Sequence, residues 1–129
     1  MVADQLKLPF VYVRPKPKEH GLGNQIEGDL KEGQKAVVIE DLISTGKSSL
    51  QVVDVLKEKG VQVMGMVSIF NYGFPLAVEA FQEARVPFYS LTDYGSLLQL
   101  AQKNGLVDAA HEDVLLKWRQ DPANWNPIS

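Results

Sequence analysis

The chain has 129 residues, 45% of them hydrophobic, which is enough for one domain with a core of its own and too little for two. Its formal net charge of −3 counts against a general nucleic-acid binder, and the absence of cysteine excludes disulfides and thiolate metal sites. No apolar run approaches the ~20 residues of a membrane span and Met1–Gln5 lacks the pattern of a signal peptide, so the expectation is a soluble cytoplasmic protein.

In chain order, residues 2–7 read as the end of a helix that Pro9 cannot continue, as though the chain began in mid-structure. Phe10 to Val13 is a short β-rich run, after which Pro15 and Pro17 forbid both helix and a regular ladder. The loop that follows gathers Arg14, Lys16 and Lys18 ahead of His20, and its prolines and glycines suggest a mobile basic lid. Standing alone, such a run would be read as a solvated turn. Gln25 to Leu30 returns as a short strand, which makes a β-hairpin arm with the basic loop at its tip.

The stretch from Val37 to Ser49 carries the chemistry. An unbroken apolar run, Ala36 to Ile39, predicts a central parallel strand buried on both faces, and it ends in two adjacent acids, Glu40 and Asp41. The chain then passes through Ser44, Thr45 and Gly46 into a helix. Carboxylates accept hydrogen bonds from ribose hydroxyls, while the unpaired N–H groups and positive end of a helix suit a phosphate, so one motif can hold both ends of a sugar phosphate. Gly46 allows a close backbone approach, and the hydroxyls of Ser44, Thr45, Ser48 and Ser49 can cap the helix or reach the phosphate. Thr45-Gly46-Lys47-Ser48 also matches the second half of a nucleotide-triphosphate P-loop, but the first glycine of that motif would fall on Asp41, a charge opposed to a phosphate.

Beyond the motif, Ser48 to Lys59 reads as a helix ended by Gly60, and Val61 to Phe70 as a strand, giving a βαβ unit. Pro75 suits the first turn of a helix with Ala77, Ala80, Phe81 and Ala84 at helical spacing, followed by a strand at Pro87–Leu91. A helix over Ser96–Lys103 is expected to be capped by Thr92 or Asp93. A last one starts near Asp108, with Val114, Leu115 and Trp118 on its apolar side. Trp125 is expected to pack back on the body or a partner, and His111 to lie at the surface.

The segment Val38-Ile39-Glu40-Asp41-Leu42-Ile43-Ser44-Thr45-Gly46-Lys47-Ser48 resembles the phosphoribosyl-pyrophosphate (PRPP) motif of type I phosphoribosyltransferases. Tyr12-Val13-Arg14-Pro15-Lys16-Pro17-Lys18-Glu19-His20-Gly21 is similar to the mobile catalytic loop of the orotate phosphoribosyltransferase family. The resemblance covers essentially the whole chain but only the C-terminal part of the family, without its N-terminal hood. It implies an α/β fold over residues 1–129, a single phosphoribosyltransferase-like domain with a mostly parallel sheet flanked by helices. It further implies transfer of ribose 5-phosphate from PRPP to orotate, with Mg2+ held mainly by PRPP and no direct protein ligand, in a homodimer whose loop reaches the neighbouring site. Glu40 and Asp41 would hold the ribose hydroxyls, the backbone of Ser44, Thr45, Gly46, Lys47 and Ser48 would cradle the 5′-phosphate, Leu42 and Ile43 would belong to the same PRPP-binding stretch, and Ser44 would also contact orotate. Arg14, Lys18 and His20 would reach pyrophosphate. Two departures stand out: Pro15 occupies the place of a second loop lysine, and no arginine near Phe70-Asn71-Tyr72 awaits the orotate carboxylate. Alternatives are another type I phosphoribosyltransferase or a non-catalytic PRPP-binding regulator.

Overall fold

The computed structural model describes residues 1–16 and 25–125. A short helix α1 (Val2–Leu6) leads to a small antiparallel pair, β1 (Tyr12–Val13) and β2 (Ile26–Glu27), in which Tyr12 faces Glu27 and Val13 faces Ile26. The main sheet is built from β3 (Lys35–Ile43), β4 (Gln62–Asn71) and β5 (Phe88–Asp93), all parallel and in the order β3-β4-β5. Helix α2 (Lys47–Glu58) connects β3 to β4 and α3 (Pro75–Glu83) connects β4 to β5; α4 (Tyr94–Lys103) and α5 (Ala109–Gln120) complete the chain, with a 3-10 turn at Pro122–Asn124. Expected and observed elements agree in kind and order, and their ends differ by a few residues. A fold of alternating strands and helices needs such crossovers because parallel neighbours cannot be joined by a tight turn.

Each helix begins where its local chemistry allows. The Asp93 carboxylate accepts from the Ser96 N–H at 2.8 Å and caps α4; Asp108 does the same for the His111 N–H of α5 at 2.8 Å. Pro75 opens α3, where its missing N–H costs nothing. Lys117 and Arg119 close α5 at the end where the helix dipole favours cations.

The core lies on one face of the sheet. Val38, Met66 and Phe88 stand abreast across the three strands, and Val38 and Met66 are buried together with Val53 and Leu56 of α2 and Ala77 and Phe81 of α3. The next row but one, Glu40, Ser68 and Ser90, is polar, and the Ser68 and Ser90 hydroxyls meet at 2.5 Å. On the opposite face Ile39, Val67 and Tyr89 form the intervening row, yet Ile39 is 52% and Tyr89 68% exposed, with Val37, Ile69 and Leu91 exposed nearby. The expectation that β3 is buried on both faces is therefore corrected. Among the described residues its one neighbour in the sheet is β4, and helices cover one of its two faces.

Aromatic rings fill the space at the C-terminal ends of β4 and β5. Tyr72 stacks on Phe74 with centroids 5.1 Å apart, and Trp118 of α5 meets Tyr72, Phe74 and Tyr94 edge-on or tilted at 5.6–5.9 Å. Trp118 packs, as its place on the apolar side of α5 suggested, whereas Trp125 is 36% exposed and is not buried against the body of this chain. His111 is exposed, as its position on α5 suggested.

Phe81 is 1% exposed and touches both the α2 turn and Phe88, at 4.6 Å between ring centroids. Phe81→Ala is expected to lower stability by about 3–5 kcal/mol, the cost of removing a buried aromatic ring that neighbours cannot replace. Urea unfolding followed by circular dichroism measures it; a loss under about 1 kcal/mol would show that the ring is not central to this core.

Candidate functional site

The acids that end β3 are divided by the strand's two-residue period. Glu40 turns to the face covered by α2 and is half-buried, while Asp41 is exposed, its Oδ1 accepting from the Leu42 N–H at 2.7 Å. One Asp41 oxygen is thus tied to the backbone and the other faces solvent. Partial burial raises the Glu40 carboxyl above the usual range; the Ser49 hydroxyl beside it pulls it down and the Asp41 charge pushes it up again. Ser49 is 2% exposed. Its hydroxyl lies beside Glu40 and does not cap α2, a placement the sequence alone did not reveal.

After Ile43 the chain leaves the sheet through Ser44 and Thr45, both exposed, and turns at Gly46 with φ +81°. That conformation suits glycine, and a side chain there would begin 2.9 Å from Cε2 of Phe81. Gly46 stands at the N-cap of α2 with no side-chain cap; the Thr45 hydroxyl accepts from the Lys47 N–H at a long 3.4 Å. Of the two uses open to the hydroxyls of Ser44, Thr45, Ser48 and Ser49, capping of the helix is replaced by a glycine turn. The first N–H groups of α2 keep their capacity to donate, at the positive end of a 12-residue helix. This is an anion-binding geometry.

The resemblance's residues are not all placed alike. Glu40, Asp41, Ser44, Thr45, Gly46, Lys47 and Ser48 come together at the β3–α2 turn. Leu42 is 42% exposed, but the Ile43 side chain is fully buried in the core and its carbonyl accepts from the Tyr72 N–H at 3.1 Å. Ile43 therefore shapes the turn and does not present a side chain to a ligand. Lys18 and His20, with the rest of residues 17–24, lie outside the described residues.

Arg14 stands at the root of the hairpin, its Nε donating to the Glu27 carboxylate at 2.8 Å and its Nη2 to the same oxygen. Gln25 donates to the Arg14 carbonyl at 2.9 Å and fastens the two arms together. A cavity of about 240 Å³ lies here, lined by Tyr12, Arg14 and Gln25 of the hairpin, Glu40 of β3, and Ser48 and Gln51 of α2. It brings the loop's first cation into one space with the first acid and the start of the helix. Among the described residues no group of three or more His, Cys, Asp or Glu side chains could hold a metal ion, and no helix is long and apolar enough to cross a membrane.

The raised Glu40 carboxyl has a consequence for stability. The folded state holds this proton more tightly than the unfolded chain, so the group's contribution is full below its ordinary value of 4.5 and is lost as pH rises through the higher folded value. Glu40→Gln, which cannot ionise, is expected to match the wild type below that window and to be the more stable above it. Thermal unfolding from pH 4 to 8 measures the difference, and a variant equally stable or less stable at pH 8 would contradict the reading.

The phosphoribosyl transferase domain family matches residues 1–88 of the chain. The orotate phosphoribosyltransferase of Phocaeicola vulgatus is 54% identical over 97% of this chain, and the chain spans 59% of that relative's length. Among solved structures, orotate phosphoribosyltransferase from Aeropyrum pernix is similar at a TM-score of 0.64 and 28% identity, over 81% of this chain and 55% of that one. Orotate phosphoribosyltransferase from Mycobacterium tuberculosis H37Rv in complex with PRPP is similar at a TM-score of 0.50 and 28% identity, over 57% of this chain and 43% of that one. The chain belongs to the phosphoribosyl transferase domain family.

Proposed function

We infer that this chain carries the PRPP-binding part of an orotate phosphoribosyltransferase, which joins orotate to ribose 5-phosphate and releases pyrophosphate. The observation that supports it most is the β3–α2 turn, where two carboxylates and an uncapped helix start lie within a few residues of one another. The identity to the Phocaeicola vulgatus protein points to orotate as the acceptor.

In this reading the ring nitrogen of orotate forms a bond to C1′ and gives up its proton to solvent as the bond from C1′ to the pyrophosphate oxygen breaks, and the electron pair of that bond leaves with pyrophosphate. Glu40 and the free oxygen of Asp41 accept from the ribose hydroxyls and fix the ring. The N–H groups at the start of α2, with the hydroxyls of Ser44, Thr45 and Ser48, hold the 5′-phosphate. Arg14, with Lys18 and His20 from the loop, meets the negative charge that grows on pyrophosphate. Cations placed there lower the barrier because that charge is larger in the transition state than in the bound substrate. Magnesium would be held mainly by PRPP, with no direct protein ligand, and would supply further neutralisation of the leaving group. The active form would be a cytoplasmic homodimer.

Asp41→Asn tests the reading. A hydrogen bond from a hydroxyl to a carboxylate contributes about 1.5–3 kcal/mol, so PRPP should bind roughly ten- to a hundred-fold more weakly to the variant. Calorimetry of the chain with PRPP and magnesium measures the constant, and equal affinities would remove Asp41 from the site.

A further inference from the structure

The acceptor in the reading above is a flat ring bearing a carboxylate, and the loop that follows β4 offers that carboxylate no cation of its own: Asn71, Tyr72, Gly73 and Phe74 are neutral. The structure brings one from far along the chain. Arg119, in the last turn of α5, lies across the C-terminal ends of β4 and β5. A side chain on Gly73 would begin 3.9 Å from its Nη1 and one on Gly95 3.7 Å from it, so two glycines border the guanidinium and leave the space beside it open. Its carbon sits 6.0 Å from the centre of the Tyr94 ring. Among the described residues no carboxylate approaches within ion-pair distance of Arg119. Asp93 is the acid that faces it, and that carboxylate is engaged in capping α4 through the Ser96 N–H.

The location suits an acceptor. Tyr72 at the end of β4 donates its N–H to the carbonyl of Ile43 at the end of β3, so the Arg119 neighbourhood adjoins the ribose motif one strand away. The Arg14 cavity draws none of its lining from β4 or β5, so the two cations serve separate spaces. Displacement at C1′ needs that separation, because the incoming base and the departing pyrophosphate occupy opposite faces of the ribose. Tyr94, over whose ring the guanidinium sits, is the aromatic surface beside it, and Tyr72 packs at 5.9 Å from that ring. A guanidinium presents its donors in a planar fork that matches a carboxylate, which a lysine would not.

We propose that Arg119 is the specificity-determining cation that engages the carboxylate of the acceptor base at the open ends of β4 and β5. This assignment rests on the transferase reading, and the experiment separates the two. The chain, labelled with nitrogen-15, is saturated with PRPP as judged by calorimetry and titrated with orotate and, separately, with uracil, the same ring without the carboxylate. Orotate is expected to move the Arg119 Nε–H resonance and the Gly73 and Gly95 amides, with uracil at least ten-fold weaker. Arg119→Met should weaken orotate roughly ten- to a hundred-fold while the PRPP constant stays within about two-fold. Arg119→Lys keeps the charge and the fold if the methionine variant unfolds, and should recover part of the orotate affinity. Orotate affinity unchanged in both variants, equal binding of orotate and uracil, or no orotate shift in the PRPP-bound wild type would each overturn the assignment and leave the transferase reading standing. A wild-type chain that takes no PRPP would overturn both.

Discussion

Gly46 is the point on which the rest of the molecule turns. The chain must pass from β3 into α2 in a left-handed conformation, and the Phe81 ring occupies the space where any side chain on that residue would begin. A ring from α3 thus supports, from below, the turn that presents the α2 amides from above. Because Phe81 also packs on Phe88 of β5, the position of the anion-binding turn is set by contacts reaching across the whole covered face of the sheet. Core and site are coupled through one aromatic side chain, and neither can shift without the other.

The same face explains why the two acids differ. A strand alternates its side chains, so adjacent carboxylates cannot share an environment. Glu40 enters the layer between sheet and helix, where Ser49 meets it, and Asp41 remains in water. The outcome is one acid held by its surroundings and one free to respond to a ligand. The uncovered face has another character: Val37, Ile39, Ile69, Tyr89 and Leu91 form a broad apolar surface beside an edge strand, the kind of surface that favours association.

Much of this was legible in the sequence, where the signal was local. The acids, the Ser-Thr-Gly turn, Pro75 at a helix start and the caps at Asp93 and Asp108 depend on neighbours within a few residues, and each appears where the residue types suggest. The burial of β3 did not follow, because an apolar run of four residues reads the same whether one face or two are covered. That Ser49 does not cap α2 could not be read either, since its direction depends on where α2 docks. Arg119 could not be read at all: the contacts that define it join α5 to glycines 24 and 46 positions earlier. The lack of an arginine near Tyr72 was the one trace of it, visible as a gap in a motif.

The hydroxyl pair between Ser68 and Ser90 has a bearing on how the sheet finds its alignment. An apolar strand sliding against its neighbour loses little at each step, because one aliphatic side chain substitutes for another. The buried Ser68 hydroxyl meets the half-buried Ser90 hydroxyl and reaches the Phe70 carbonyl at 3.3 Å, so a misaligned state that takes Ser90 away strands polar capacity at a cost of about 1–3 kcal/mol for each group left unpaired. The contact therefore acts as proofreading of β4 against β5. Since the same row ends in Glu40, alignment errors are penalised along the line of residues that leads to the β3–α2 turn, where a displacement of one position would exchange the inward acid for the outward one.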